Sequence, residues 1–229
     1  MLSERGVGEL VAVDRFPAGA AEEYKTARGR IRSGDLLLCS GSYPFSRLLR
    51  VATESRWSHV GLLLRLEPPL DRVMVLESVE TYGVRTIPLR KYMQDFDNKG
   101  NPYSGGVIVA RHRQFDAQPR DLRELTLHAI GEFGRSYSTE HLARIAARIL
   151  ASRLDSEEAR QALAELELEE LHGGARGYIC SEYVQECYER IGIPIRADVR
   201  GFVSPADFVR GDQLELVAVL VRPPRGAVE

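Results

Sequence analysis

The spacing of apolar residues changes character near residue 119. Before that point, compact apolar runs stand between turn-forming residues. "SGDLLLCSG" (33–41) reads as a buried strand bounded by turn signals. "HVGLLLRL" (59–66) and "RVMVLESV" (72–79) are joined by EPPLD and read as a hairpin, and "GVRTIPL" (83–89) and "GGVIVARH" (105–112) add two further strands. A short helix is expected near Ala20–Arg28. Another is expected over 42–53, with Phe45, Leu48, Leu49 and Ala52 on one side.

From 119 onward the period lengthens to three and four. "PRDLRELTLHAIGEFG" carries Pro119 near its start and Gly134 after its end, the punctuation of a helix. Residues 138–154 place Leu142, Ile145, Ala146, Ile149, Leu150 and Leu154 on one face. Asp155 with Glu158 resembles a capping box that opens a further, acidic helix. "CSEYVQECYERIG" repeats apolar positions at Val184, Cys187, Tyr188 and Ile191, and Gly192 and Pro194 mark its end. The chain closes with a Pro-containing loop, "SPADFVRG", and a last strand, "LELVAVLV" (214–221). Strands, then helices, then a strand favour an α+β fold with an antiparallel sheet over a doubly wound parallel one.

Composition narrows the partners. In 229 residues, 44% hydrophobic and 28% charged content is that of a globular protein with a full core. A net charge of −2 gives no electrostatic case for nucleic acid or an anionic membrane. Three cysteines, at 39, 180 and 187, cannot form a closed disulfide framework, and 180 and 187 lie two turns apart on one helix, too far to bridge. With no basic-then-apolar leader and no apolar run long enough to span a bilayer, the expected compartment is cytoplasmic and membrane contact is not expected.

The candidate chemistry centres on Cys180. It falls in the first turn of its helix, where unpaired N–H groups and the macrodipole favour a thiolate. His59 opens the first strand of the hairpin and Glu77 lies near the end of the second. With a turn centred on Pro68 the two stand directly opposite, a carboxylate beside an imidazole. Glu77 sits among Val75, Leu76 and Val79, and a glutamate so placed needs a partner. Trp57 and Tyr178 are candidates for lining a substrate cleft, each equally readable as core packing. His112, His128, His141 and His172 lack ligand spacing, so no metal site and no cofactor are expected.

"GDLLLCSG", "SHVGLLL", "VLESVETYGVRTIPL" and "YICSEYVQECYERIGI" resemble, in this order, the permuted papain-like amidases of the YiiX/YaeF type, within the NlpC/P60 superfamily. The resemblance spans roughly 31–221. It implies a circularly permuted papain-like fold, with an antiparallel sheet or barrel packed against helices. Residues 1–30 are then an N-terminal extension and 31–229 the catalytic domain. The helical, acidic stretch 139–172 is longer than the family pattern requires, and reads equally as an insertion covering the cleft or as a packed helical pair that completes the core. The resemblance also implies Cys180 as nucleophile, His59 as general base and then acid, and Glu77 as the residue that orients the imidazole.

The expected activity is therefore hydrolysis of an amide or isopeptide bond in a small peptide-like or acyl-amide substrate, through a thioester on Cys180. Two other readings stay open. One is a lipid acyltransferase or phospholipase of the lecithin–retinol acyltransferase type, which shares the order of His before Cys. The other is a catalytically silent peptide-binding module. The intact Cys–His–Glu set speaks against the second.

Overall fold

The computed structural model describes residues 21–116, 118–141, 145, 177–197 and 202–221. Six strands form one antiparallel sheet: β1 (Leu36–Gly41), β2 (His59–Leu66), β3 (Arg72–Val79), β4 (Gly83–Pro88), β5 (Gly105–His112) and β6 (Leu214–Val221). Their order across the sheet is β4-β3-β2-β1-β5-β6. Among the described residues the helices are α1 (Tyr24–Ala27), α2 (Pro44–Thr53), α3 (Arg90–Gln94), α4 (Pro119–Gly131), α5 (Cys180–Glu189) and α6 (Pro205–Val209). Most of the expected helical insertion at 139–172 lies outside the described residues, as do residues 1–20 of the expected extension.

Both faces of the central strands are covered, which is why β1 reads as an unbroken apolar run and is buried along its whole length. Side chains alternate between the faces. Leu36, Leu38, Val60, Leu62, Leu76 and Ile108 pack under α4 and α5, against Leu125, Ala129, Tyr183, Val184, Cys187 and Tyr188. Leu37, Cys39, Leu63, Val73, Val75, Val107 and Val109 form a second core with Ala27, Tyr92 and Tyr103.

Helix α5 ends as its glycine predicts. Gly192 adopts φ +77°, and the Ile193 N–H reaches back to the Tyr188 carbonyl, so the chain reverses without a side-chain clash. Two local expectations are revised. The segment "SPADFVRG" is not all loop but contains α6, because Ser204 and Asp207 cap it: the Ser204 N–H and Oγ both donate to Asp207 Oδ2, at 2.7 and 2.6 Å. Pro205 occupies the first helical position, where its missing N–H costs nothing. In addition α3, five residues long, follows β4 where no helix was expected.

Candidate active site

The three residues singled out in the sequence come together. His59 opens β2, so its ring stands at the end of the sheet, within reach of a helix packed on the opposite face. The His59 Nε2 and Glu77 Oε2 atoms are 2.8 Å apart, and the imidazole lines one cleft with the Cys180 side chain, whose interaction raises the His59 pKa. With Nε2 engaged by the carboxylate, Nδ1 is left for the sulfur. His59 is 14% exposed and Glu77 is fully buried.

The register differs from the expected one. Leu62 faces Leu76 and Leu66 faces Arg72, which centres the turn on Pro69. Continuing that ladder by one pair sets Glu77 against Gly61 and leaves His59 on its diagonal, on the same face. Position 61 has no side chain to stand in the way. A Cβ there would lie 3.6 Å from Glu77 Cβ and 3.0 Å from Val75 Cγ1.

Three side chains share the Glu77 carboxylate. Arg85, directly opposite Glu77 on β4, donates to Oε1 from Nε at 3.0 Å and approaches it with Nη2 at 2.9 Å. Oε2 takes His59 and the hydroxyl of Tyr92. Burial alone would raise the Glu77 pKa, but hydrogen bonding and charge from His59, then Arg85 and Tyr92, reverse this and hold the carboxyl below its ordinary value. For His59, burial opposes the imidazolium, and the Cys180 and Glu77 interactions outweigh it, leaving the pKa pushed up to about 10. The site therefore favours a charged imidazole at neutral pH.

The first turn of α5 is anchored on both sides. The Ile179 N–H donates to Glu182 Oε2 at 3.1 Å, and Ser181 Oγ donates to the Val203 carbonyl at 2.8 Å. Just upstream, Ser78 Oγ of β3 donates to the Tyr178 carbonyl at 2.7 Å, while the Tyr178 N–H donates to the Ser136 carbonyl at 3.1 Å. The backbone leading to the cysteine is thus tied to the strand that carries Glu77.

Around Cys180 and His59 lies a cleft of about 390 Å³, within the usual range for small-ligand sites. Its lining includes the aromatic side chains Tyr43, Tyr82, Tyr92, Phe96 and Tyr103 and an apolar wall in which Leu49, Ile145, Ile179 and Phe202 pack together. Neither aromatic residue expected to line it does so. Trp57 is fully buried in the core between sheet and helices, where the largest apolar surface in the chain is best removed from water. Tyr178 turns the other way: its hydroxyl donates to Glu186 Oε2 at 2.8 Å and its ring packs edge-on to Tyr183. Its main chain serves the site instead, and Tyr137 lines the cleft in its place.

Arg85, Tyr92 and Gly61 were not read from the sequence as part of the site. Arg85 was accessible in principle, since Glu77 and Arg85 are equidistant from Thr81 in "ESVETYGVR" and so face each other across a tight turn. Tyr92 arrives from another element, on α3, and local spacing gives no sign of it. All three cysteines are free thiols. Among the described residues, no three His, Cys, Asp or Glu side chains cluster so as to hold a metal ion, and no helix is long and apolar enough to cross a membrane.

The family of permuted papain-like amidases of the YaeF/YiiX type, C92, matches residues 30–143, a span that includes His59 and Glu77 and ends before Cys180. Among solved structures, the chain is similar to a metalloprotein, YiiX from Escherichia coli O157:H7, at 17% identity and a TM-score of 0.55, covering 85% of this chain and 99% of that one. No curated protein matches the chain. The YiiX likeness fits the permuted papain-like fold, and residues 30–143 match the model of the YaeF/YiiX family of permuted papain-like amidases.

Proposed function

We propose that this protein is a cysteine amidase that cleaves an amide or isopeptide bond in a small peptide-like or acyl-amide substrate, through a thioester on Cys180. The observation that carries the reading is that Cys180 and His59 line one cleft while the buried Glu77 holds the imidazole from behind at 2.8 Å.

In the proposed reaction His59 holds the proton taken from Cys180, and the sulfur attacks the substrate carbonyl carbon. The carbonyl oxygen gains the negative charge of the tetrahedral intermediate. In this reading the backbone N–H of Cys180, at the start of α5, donates to that oxygen. His59 then gives its proton to the leaving nitrogen as the C–N bond breaks. In the second half, His59 takes a proton from water, the hydroxide equivalent attacks the thioester, and the acid leaves with Cys180 restored. Glu77 moves no proton; it fixes the ring and offsets its charge, the role of the third member of such triads.

The apolar wall formed by Leu49, Ile145, Ile179 and Phe202 favours a second reading, in which the same thioester delivers an apolar acyl group to an alcohol, as in acyltransferases of the lecithin–retinol type. One experiment addresses both. The protein is incubated with a library of peptide amides and acyl amides, quenched in acid, and digested for mass spectrometry. The proposal expects an acyl adduct on the peptide bearing Cys180, lost on replacement of Cys180 by Ala. Substrate turnover with the same yield in the Cys180→Ala protein would refute it. Glycerol as a competing acceptor separates hydrolysis from transfer.

A further inference from the structure

We infer that Arg85 is a positioning residue for the proposed reaction, gripping the Glu77 carboxylate so that its second oxygen stays committed to His59. The inference rests on the function proposed above and extends it by a residue from a different strand.

The geometry separates the work of the two carboxylate oxygens. Oε1 faces Nε and Nη2 of Arg85 at 3.0 and 2.9 Å, whereas Oε2 faces His59 Nε2 at 2.8 Å and the Tyr92 hydroxyl. Rotation of the carboxylate away from His59 would break the Arg85 contacts as well. Because Glu77 and Arg85 are directly opposed on β3 and β4, their Cβ atoms are held at the short cross-strand distance and the ion pair forms without unusual side-chain excursions. A guanidinium presents its donors in a fixed plane, which an ammonium does not.

The pair is also sheltered. Glu77 is fully buried and Arg85 is 23% exposed. The Arg85 guanidinium carbon sits 4.7 Å from the centroid of Tyr82, a residue of the β3–β4 turn that lines the cleft. In such surroundings a carboxylate that loses one of its two cations takes up a proton more readily, and a neutral Glu77 no longer balances an imidazolium. The groups facing Glu77 are His59 from β2, Arg85 from β4, Tyr92 from α3, and, at longer range, Tyr103 and Cys39; Cys180 of α5 faces the other side of His59. Of these, Arg85 is the one whose charge does not depend on the state of the His59–Cys180 pair. It therefore adds to His59 in setting how far the pH can fall before the Glu77–His59 pair fails.

The test measures the rate of Cys180 alkylation by iodoacetamide against pH, by peptide mapping, in the wild type, Arg85→Met and Arg85→Lys, with circular dichroism as the check on folding. Without the guanidinium, Glu77 takes its proton at higher pH. The acid limb of the Arg85→Met profile is therefore expected to move up by about one pH unit, a roughly tenfold slower reaction at a pH on that limb. Arg85→Lys keeps the charge without the two-pronged grip, and its profile is expected to fall between the two. A folded Arg85→Met protein whose profile overlays the wild type overturns the inference. So does an Arg85→Lys profile identical to wild type, even where the Met variant does not fold. A wild-type Cys180 that reacts no faster than Cys39 and Cys187 would instead refute the nucleophile itself, and the inference with it.

Discussion

Glu77 stands across the sheet from Gly61 and reaches His59 on the diagonal. A side chain at position 61 would start on the face that the carboxylate and the ring share, with its Cβ 3.6 Å from Glu77 Cβ.

Replacement of Gly61 by Ala is expected to weaken both stability and the His59–Glu77 contact. The new Cβ meets Val75 Cγ1 at 3.0 Å, tighter than packed side chains normally allow, on a strand with little freedom to move. Overpacking of this kind costs about 1–3 kcal/mol. Urea denaturation checks the stability loss. The NMR titration of His59 checks the contact, with a pKa below that of the wild type expected in the variant.

The hairpin illustrates what sequence can and cannot reveal. Its strand limits, His59–Leu66 and Arg72–Val79, follow from apolar runs and a Pro-rich turn. Its register did not follow. Pairing Glu77 with His59 or with Gly61 puts the same residues on the same face, so the hydrophobic pattern is blind to the difference. The Cys180 helix was legible because ten residues display a full helical period and Gly192 ends it. The five-residue α3 is too short to show one, and it supplies Tyr92. Trp57 stayed open between cleft and core in the sequence because proximity to His59 says nothing about which side of the sheet an indole enters; it is buried in the core.

His112 provides a pH dependence separate from the active site. It is 1% exposed, lies against the ring of Tyr188, and accepts the Gln114 N–H at Nδ1, which leaves the proton on Nε2 toward Gln213. Burial lowers its pKa below the ordinary 6.5, with the Gln213 hydrogen bond opposing. The unfolded chain then binds a proton more readily than the folded one. Stability is accordingly expected to fall as the pH drops below about 6.5, by at most about 1.4 kcal/mol per pH unit from this group. Urea midpoints between pH 7 and 5 should fall less steeply in His112→Gln than in the wild type. Equal slopes would show that other groups carry the dependence.

The three thiols are expected to react very unequally. Cys39 and Cys187 are fully buried, and burial pushes both thiols above their ordinary pKa. Cys180 is 7% exposed and lines the cleft. With limiting iodoacetamide at neutral pH, peptide mapping should place nearly all the label on Cys180, at least about a hundredfold ahead of the others, because reactivity follows access and thiolate character. Comparable labelling of all three in the folded protein would contradict the site as drawn.

The clearest separation of roles comes from His59 and Glu77. In the proposed reaction His59 moves the proton in both half-reactions, so His59→Ala should lower kcat/KM by roughly 10²–10⁴, the range associated with general acid–base catalysis. Glu77→Gln keeps the shape and one acceptor oxygen but removes the charge that holds the imidazolium. It should cost less in rate, about ten- to a hundredfold, because the proton carrier is still present. Stability should run in the opposite order. Glu77 is fully buried and holds Arg85, Tyr92 and His59 together, so its replacement leaves donors unbalanced and costs about 1–3 kcal/mol. His59, at the sheet's end and 14% exposed, leaves fewer partners stranded. Rates normalised to folded protein, beside urea midpoints for each variant, distinguish the two effects. A Glu77→Gln protein with full activity per folded molecule would show that the carboxylate serves the fold alone.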